Sequence, residues 1–293
     1  MTLTVLFDLD DTLLKTNSEE FLPAYFKGLT EALVHLGTQE KSEHQIRFAV
    51  RKMVANRSPS RFLKAIFSEY FYPPLGTTEA ACHKALDRFY AEDYPRLQSL
   101  VNPKPEAQSL IQWCLSNGFN LAITTNPLFP ETATRQRIRW AGLEPEDFSF
   151  FSTFDNFHFT KPNIRYYAEA IGRLGWPEGP IVMVGDDPTL DLLPSEKMGL
   201  KTFWINPDPS KTDRPSGSIG DLQKFLSHLQ QQADNYQLSG APQVLFAVLR
   251  STPAVLQTWL DTYDVAALHQ HPVMGEWSAN EVFWHLANFE ALI

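Results

Sequence analysis

Thr4-Val5-Leu6-Phe7-Asp8-Leu9-Asp10-Asp11-Thr12 is an apolar, partly β-branched run that breaks abruptly into carboxylates. Residues 3–8 read as a short strand buried on both faces, and the acids as the polar loop that follows it. Side chains two apart on a strand share a face, so Asp8 and Asp10 emerge together where the chain leaves the sheet. A pair of acids there suggests chemistry assisted by a hard divalent cation, which takes one or two carboxylates together with substrate oxygens and water.

Similar apolar runs recur at 119–124, 149–154, 180–184 and 200–205, and segments of helical length, such as 105–116 and 164–174, separate most of them. The alternation predicts an α/β fold: a Rossmann-like parallel sheet with helices on both faces. Residues 15–100 interrupt it with four helix-like stretches, near 18–36, 43–56, 59–71 and 78–92, and no convincing strand. They read as an inserted α-helical cap over the carboxyl edge of the sheet, where open α/β folds hold their ligands. The α/β core is then 1–14 and 101–230, with its last helix at 219–228. Residues 231–242 read as a linker, and 243–293 as a C-terminal all-α segment with apolar residues at helical spacing in 243–260 and 279–293.

Composition removes several classes of function. With 34 Asp+Glu against 25 Lys+Arg, the net charge of −9 lacks the positive footprint expected of a nucleic-acid or anionic-membrane partner. Cys82 and Cys114 stand far apart without metal-ligand spacing, which fits neither a disulfide framework nor a zinc site and suits a reducing, cytoplasmic setting. The N-terminal apolar run is too short for a secretion signal, and no stretch reaches about 18 uninterrupted apolar residues, so no membrane span is expected.

Further polar groups fall at the ends of the later strands. Gly185-Asp186-Asp187-Pro188-Thr189-Leu190-Asp191 supplies more acids. Thr124-Thr125-Asn126 ends a strand in a hydroxyl and an amide, and Lys161 stands just before a predicted helix. A hydroxyl, backbone N–H groups and an ammonium are suited to holding a phosphate beside carboxylates. Asp187, before Pro188, also fits a turn, and Asp191 a helix cap.

Taken in order, Asp8-Leu9-Asp10-Asp11-Thr12, Thr125-Asn126, Lys161-Pro162 and Gly185-Asp186 with Asp191 resemble the haloacid-dehalogenase-like (HAD) hydrolase superfamily over roughly residues 1–230. The resemblance implies that Asp8 is a nucleophile forming an aspartyl-phosphate and that Asp10 is the acid/base. It implies that Thr125, Asn126 and Lys161 bind the phosphate. Magnesium (Mg²⁺) would be held by Asp8, by the main-chain carbonyl of Asp10 and by Asp186, with Asp187 or Asp191 in support and Thr12 bracing the loop. The dehalogenase branch lacks a carboxylic acid at the position of Asp10, so hydrolysis of a small phosphorylated metabolite is favoured. A phosphomutase shares the motifs, and a non-catalytic phospholigand-binding module acting through the helical tail is the reading from another class.

Within the insert, Arg47, Arg51, Lys52, Arg57, Arg61 and Lys64 form either a solvated basic face or a contact for an anionic substrate tail. Phe62, Phe67, Tyr70, Phe71 and Tyr72 read as its core. Near the C-terminus, Ser278 to Glu281 matches a helix capping box with Trp277 before it. Trp277-Ser278-Ala279-Asn280-Glu281 with His285-Leu286 resembles the second-helix region of DinB-like proteins over about 50 residues. That resemblance makes His285 the first ligand of a second metal site, but the reading as a packed helix histidine stands ahead of it. Apolar helix faces in 243–293 point to packing on the core or to self-association.

Overall fold

The structure, a computed structural model, describes residues 2–34, 39–207, 210, 214–232, 247–249, 251–256, 264–271, 273 and 275–290. The opening apolar run forms β1 (Thr4–Phe7), buried at every position. It lies inside a five-stranded sheet, between β4 (Asn120–Ile123) and β5 (Ile181–Gly185), with β6 (Lys201–Ile205) and β7 (Ser218–Gly220) beyond, in the order β4-β1-β5-β6-β7. Every pairing in it is parallel. Phe7 pairs with Ile123 on one side and Val184 on the other. Asp8, Thr124 and Gly185 therefore leave the sheet at one level.

Alternation along the strands sends Val5, Phe7, Val182, Val184, Phe203 and Ile205 to one face and Leu6, Met183 and Trp204 to the other. α5 (Pro105–Ser116) and α9 (Leu222–Gln232) cover the first face, and α7 (Ile164–Arg173) the second. Asn163 caps α7 by accepting from Arg165 N at 3.1 Å, which places Lys161 just ahead of the helix.

Three expectations need correction. Residues 149–154 run beside β4, with Ile123 N donating to Phe150 O at 3.0 Å, but make only one bridge, Ile123 to Phe151. The Asn156 side chain, bonded to Thr153 N and Phe151 O, turns the chain away. The helix expected from 219 starts at Leu222, because 218–220 pairs with β6 and Asp221 Oδ1 caps the helix through Lys224 N at 2.7 Å. The insert is also not strand-free at its borders. β2 (Leu14–Thr16) pairs antiparallel with β3 (Val101–Pro103), so both chain crossings between sheet and insert run through one two-stranded ribbon.

Between the arms of that ribbon lie α1 (Ser18–Ala32), α2 (Gln39–Val54), α3 (Leu63–Phe71) and α4 (Glu79–Arg88). Further along, Ala247 and Ala254 join the buried cluster around α7, where Val255 fills the space a side chain at Gly172 would need. The Ala279–Glu290 helix starts at the expected capping box, with Glu281 N donating to Ser278 Oγ at 3.3 Å and Ser278 N to Glu281 Oε2 at 2.8 Å. Residues 233–242 of the expected linker, and 243–246, 250 and 257–260 of the helical stretch after it, lie outside the described residues. No helix among the described residues is long and apolar enough to cross a membrane.

Phe225 of α9 is fully buried, edge-on to Phe7 at 6.1 Å and 4.8 Å from Phe203. Phe225→Ala is expected to cost about 3–5 kcal/mol in urea unfolding; a loss below about 1 kcal/mol would show that α9 does not seal this face.

Candidate active site

The turn after β1 is built to hold its acids. Asp8 N donates to Val184 O at 2.9 Å, fixing Asp8 against β5, and Asp11 takes a left-handed φ of 55°. The chain doubles back so that Thr16 Oγ1 donates to Asp10 Oδ1 at 2.7 Å and Thr16 N to Asp11 Oδ1 at 3.0 Å. Lys104 Nζ donates to Asp11 O from just past β3, tying the turn to the ribbon. Thr12 is fully buried, but its hydroxyl has no hydrogen-bond partner. Asp11, Thr16 and Lys104 tie the turn together through hydrogen bonds.

Asp8, Asp186 and Asp191 bring one carboxylate oxygen each within 4.8 Å of one another. Lys161 Nζ lies 2.7 Å from Asp8 Oδ1 and 2.5 Å from Asp191 Oδ1, and its side chain is 1% exposed. The alternatives for the last acids are separated by the turn at 188–192. Asp187 Oδ1 accepts from Thr189 N at 2.7 Å and Leu190 N at 2.9 Å, which makes it the cap of the turn. Asp191 folds back into the cluster, where its Oδ2 accepts from Asp187 N at 3.2 Å. Gly185 permits this, because a Cβ there would run into the Asp191 carboxylate.

Burial, then the charges of Asp8 and Asp191, push the Asp186 carboxyl up to about 8. Burial pushes Asp191 up to about 7 against the lowering influence of Lys161. Burial opposes the charge on Lys161, but Asp191 and Asp8 outweigh it and hold the ammonium well above the ordinary lysine value. Crowded carboxylates that resist ionisation are relieved by a cation, and three hard oxygen donors suit Mg²⁺.

Thr125 is buried at the end of β4, its carbonyl accepting from Ser152 Oγ at 2.6 Å and Tyr166 Oη at 2.8 Å. Next to it the buried Asn126 Oδ1 has no hydrogen-bond partner, an unmet polar group at the edge of the site. Asp10 stands apart from the cluster: Arg137 on α6 (Glu131–Trp140) donates to its Oδ1 alongside Thr16. The Arg137 side chain is 2% exposed and lies 5.1 Å from the Phe21 ring and 4.8 Å from that of Phe129. Burial lowers Arg137 to about 10. The sequence reading missed Arg137, Lys104 and Thr16, each joined to the motif only through the fold.

Residues 2–199 match the family model of haloacid dehalogenase-like hydrolases. The chain belongs to this family. It is 25% identical over 215 residues to a glyceraldehyde 3-phosphate phosphatase of Methanothermobacter thermautotrophicus, an alignment covering 72% of this chain and 88% of that protein. The fold resembles a HAD phosphatase from Thermococcus onnurineus (TM-score 0.52, 21% identity, 78% of this chain and 98% of that one). It is equally close to a 2-haloacid dehalogenase from Pseudomonas syringae pv. tomato (TM-score 0.52, 20% identity, 79% and 99%). Fold alone therefore does not separate the two chemistries, and the side chains have to.

His285 is exposed against the Trp277 ring at 4.9 Å, and among the described residues it joins no group of three metal-ligating side chains.

Removing one partner of a buried ion pair strands the other. Lys161→Met is expected to cost about 3–5 kcal/mol in unfolding measured in chelator. Asp191→Asn placed on top should recover part of that loss; strictly additive losses would contradict the coupling of Lys161 to Asp191.

Proposed function

We propose that this HAD-family hydrolase is a Mg²⁺-dependent phosphatase that cleaves a small phosphate monoester through an aspartyl-phosphate on Asp8. The observation that carries the reading is one buried group at the carboxyl edge of the sheet, Asp8, Asp186 and Asp191 around Lys161, with the acid Asp10 two residues beyond Asp8. The phosphatase name of the Methanothermobacter relative supports it. So does Asp10, an acid at the position where the dehalogenase branch has none.

Asp8 Oδ attacks phosphorus as the bond to the leaving oxygen breaks, and Asp10 supplies the proton that oxygen takes up. Asp10, now a carboxylate, accepts a proton from the water that attacks phosphorus, so Asp8 is regenerated and phosphate released. Lys161 offsets negative charge at Asp8 throughout, and Thr125 with Asn126 orients the phosphate oxygens. Asp8, Asp186 and Asp191 are the carboxylates that hold Mg²⁺, together with the Asp10 carbonyl. Bound there, the cation neutralises charge on the phosphate and the acids.

Arg137 and Thr16 both donate to Asp10 Oδ1 and hold it away from the carboxylate cluster. Acid catalysis requires the side chain to leave Arg137, a change suited to the closing of the insert as a cap on the β2–β3 ribbon. In this reading the core is 1–14 and 101–230, the cap 15–100, the linker 231–242 and the C-terminal helical segment 243–293.

Phosphate release across a panel of phosphate monoesters tests the proposal. Activity is expected to require Mg²⁺, to fall at least about a thousandfold in Asp8→Asn and to fall about 10²–10⁴-fold in Asp10→Asn. Near-native turnover by Asp8→Asn would remove Asp8 as nucleophile.

A further inference from the structure

A cavity of about 590 Å³ opens between the insert and the loop that follows Thr125 and Asn126. Tyr25 and Leu29 of α1, Val50 of α2, Phe67 of α3 and Leu86 of α4 line it, with Phe129 on its core side. Phe129 lies 5.1 Å from the Tyr25 ring and 4.8 Å from the Arg137 guanidinium, which in turn donates to Asp10. One side chain thus separates the cavity wall from the acid that would protonate a leaving group.

Most basic residues at the cavity mouth already have acidic partners. Arg47 pairs with Glu43 at 2.8 Å, Lys64 with Asp155 at 3.3 Å and Glu79 at 3.4 Å, and His83 with Asp87 at 3.2 Å. The remaining basic residues of the stretch are also engaged. Arg61 pairs with Glu69 at 2.5 Å, Arg57 donates to Val54 O at 2.9 Å, Lys52 lies 5.0 Å from the Tyr70 ring, and Arg51 lies 5.8 Å from that of Phe48. Arg51, which also lines the cavity, has a ring contact but no carboxylate partner among the described residues; the rest of the wall is mostly aromatic and aliphatic, and an apolar tail packs against it. The polar handle inside is the Tyr25–Tyr90 hydroxyl pair, 2.9 Å apart, which keeps one proton to donate. Burial raises Tyr25 to about 12, so its hydroxyl stays neutral. A polyol placed there would give up its hydrogen bonds to water and regain at most one or two.

We infer that the substrates are phosphate monoesters of a largely apolar alkyl or aryl alcohol, with the alcohol seated in this cavity and the phosphate at Asp8. The inference rests on the phosphatase reading of the Asp8 site, and it names the substrate class that reading leaves open. A cavity of this size, mostly apolar with a few convergent polar groups, is of the kind that holds a small organic molecule.

The test compares 2-naphthyl phosphate and octyl phosphate with glycerol phosphate and glyceraldehyde 3-phosphate, using the full chain in Mg²⁺. In parallel, fluorescence titration follows 2-naphthol binding without any chemistry. The apolar esters are expected to exceed the polyol esters at least about tenfold in kcat/KM, mainly through KM. Naphthol should bind, and Leu86→Trp, which fills the cavity, should weaken naphthol binding and raise the naphthyl ester's KM more than that of glycerol phosphate. Asp8- and Mg²⁺-dependent release that favours the polyol esters, with no naphthol binding, overturns the inference and leaves the phosphatase reading standing. Naphthol binding without hydrolysis of any ester overturns the phosphatase reading and the substrate assignment with it.

Discussion

The ammonium of Lys161, wedged between Asp8 and Asp191 with almost no exposure of its own, is the contact on which the carboxyl edge of the sheet depends. Burying any one of these charges alone costs several kcal/mol, so none can be kept without the others. The ion pairs bring together three parts of the chain far apart in sequence: the end of β1, the approach to α7 and the turn after β5. When all are ionised, Asp8, Asp186, Asp191 and Lys161 leave two negative charges uncompensated. A divalent cation cancels that excess, and a phosphate dianion can then approach acids that would otherwise repel it. The raised positions of Asp186 and Asp191 express the same crowding of negative charge.

A second electrostatic arrangement opposes the first. Asp10 is the more exposed of the two motif acids, yet Arg137 and Thr16 both donate to its Oδ1 and fix its position. Thr16 is the last residue of β2 and pairs with Val101 of β3, so the same hydrogen bond links Asp10 to the ribbon that carries the insert. That hydrogen bond and the ribbon thus join Asp10, the α/β core and the helical insert in one continuous set of contacts. The apolar cavity extends this connection, because its core wall, Phe129, packs on the guanidinium that holds Asp10.

Much of this was legible in the residues, for a physical reason. Strands of a parallel sheet covered on both faces are buried on both sides, so β1, β4, β5 and β6 appear as continuous apolar runs, and polar groups at their ends mark the ligand edge. β2, β3 and β7 are three residues long and carry no such pattern; they exist because partners lie alongside them, as Thr16 does with Val101 and Ser218 with Phe203. Residues 149–154 show the converse, an apolar run that meets β4 for one bridge before Asn156 turns it away. Asp187 and Asp191 look equivalent in sequence, and only the capped turn with the open space at Gly185 separates their roles. Arg137 gives no local signal, because its partner is 127 positions away.

The central claim, a covalent aspartyl-phosphate on Asp8, is tested most directly by trapping it. The enzyme, quenched in acid while turning over a phosphate ester, is treated with borohydride, which reduces an acyl phosphate to an alcohol and leaves free carboxylates intact. Peptide mass mapping is predicted to find homoserine in place of Asp8 in the native protein, dependent on substrate and Mg²⁺ and absent in Asp8→Asn. Sustained turnover with Asp8 unmodified, or with homoserine at another acid, would contradict the account.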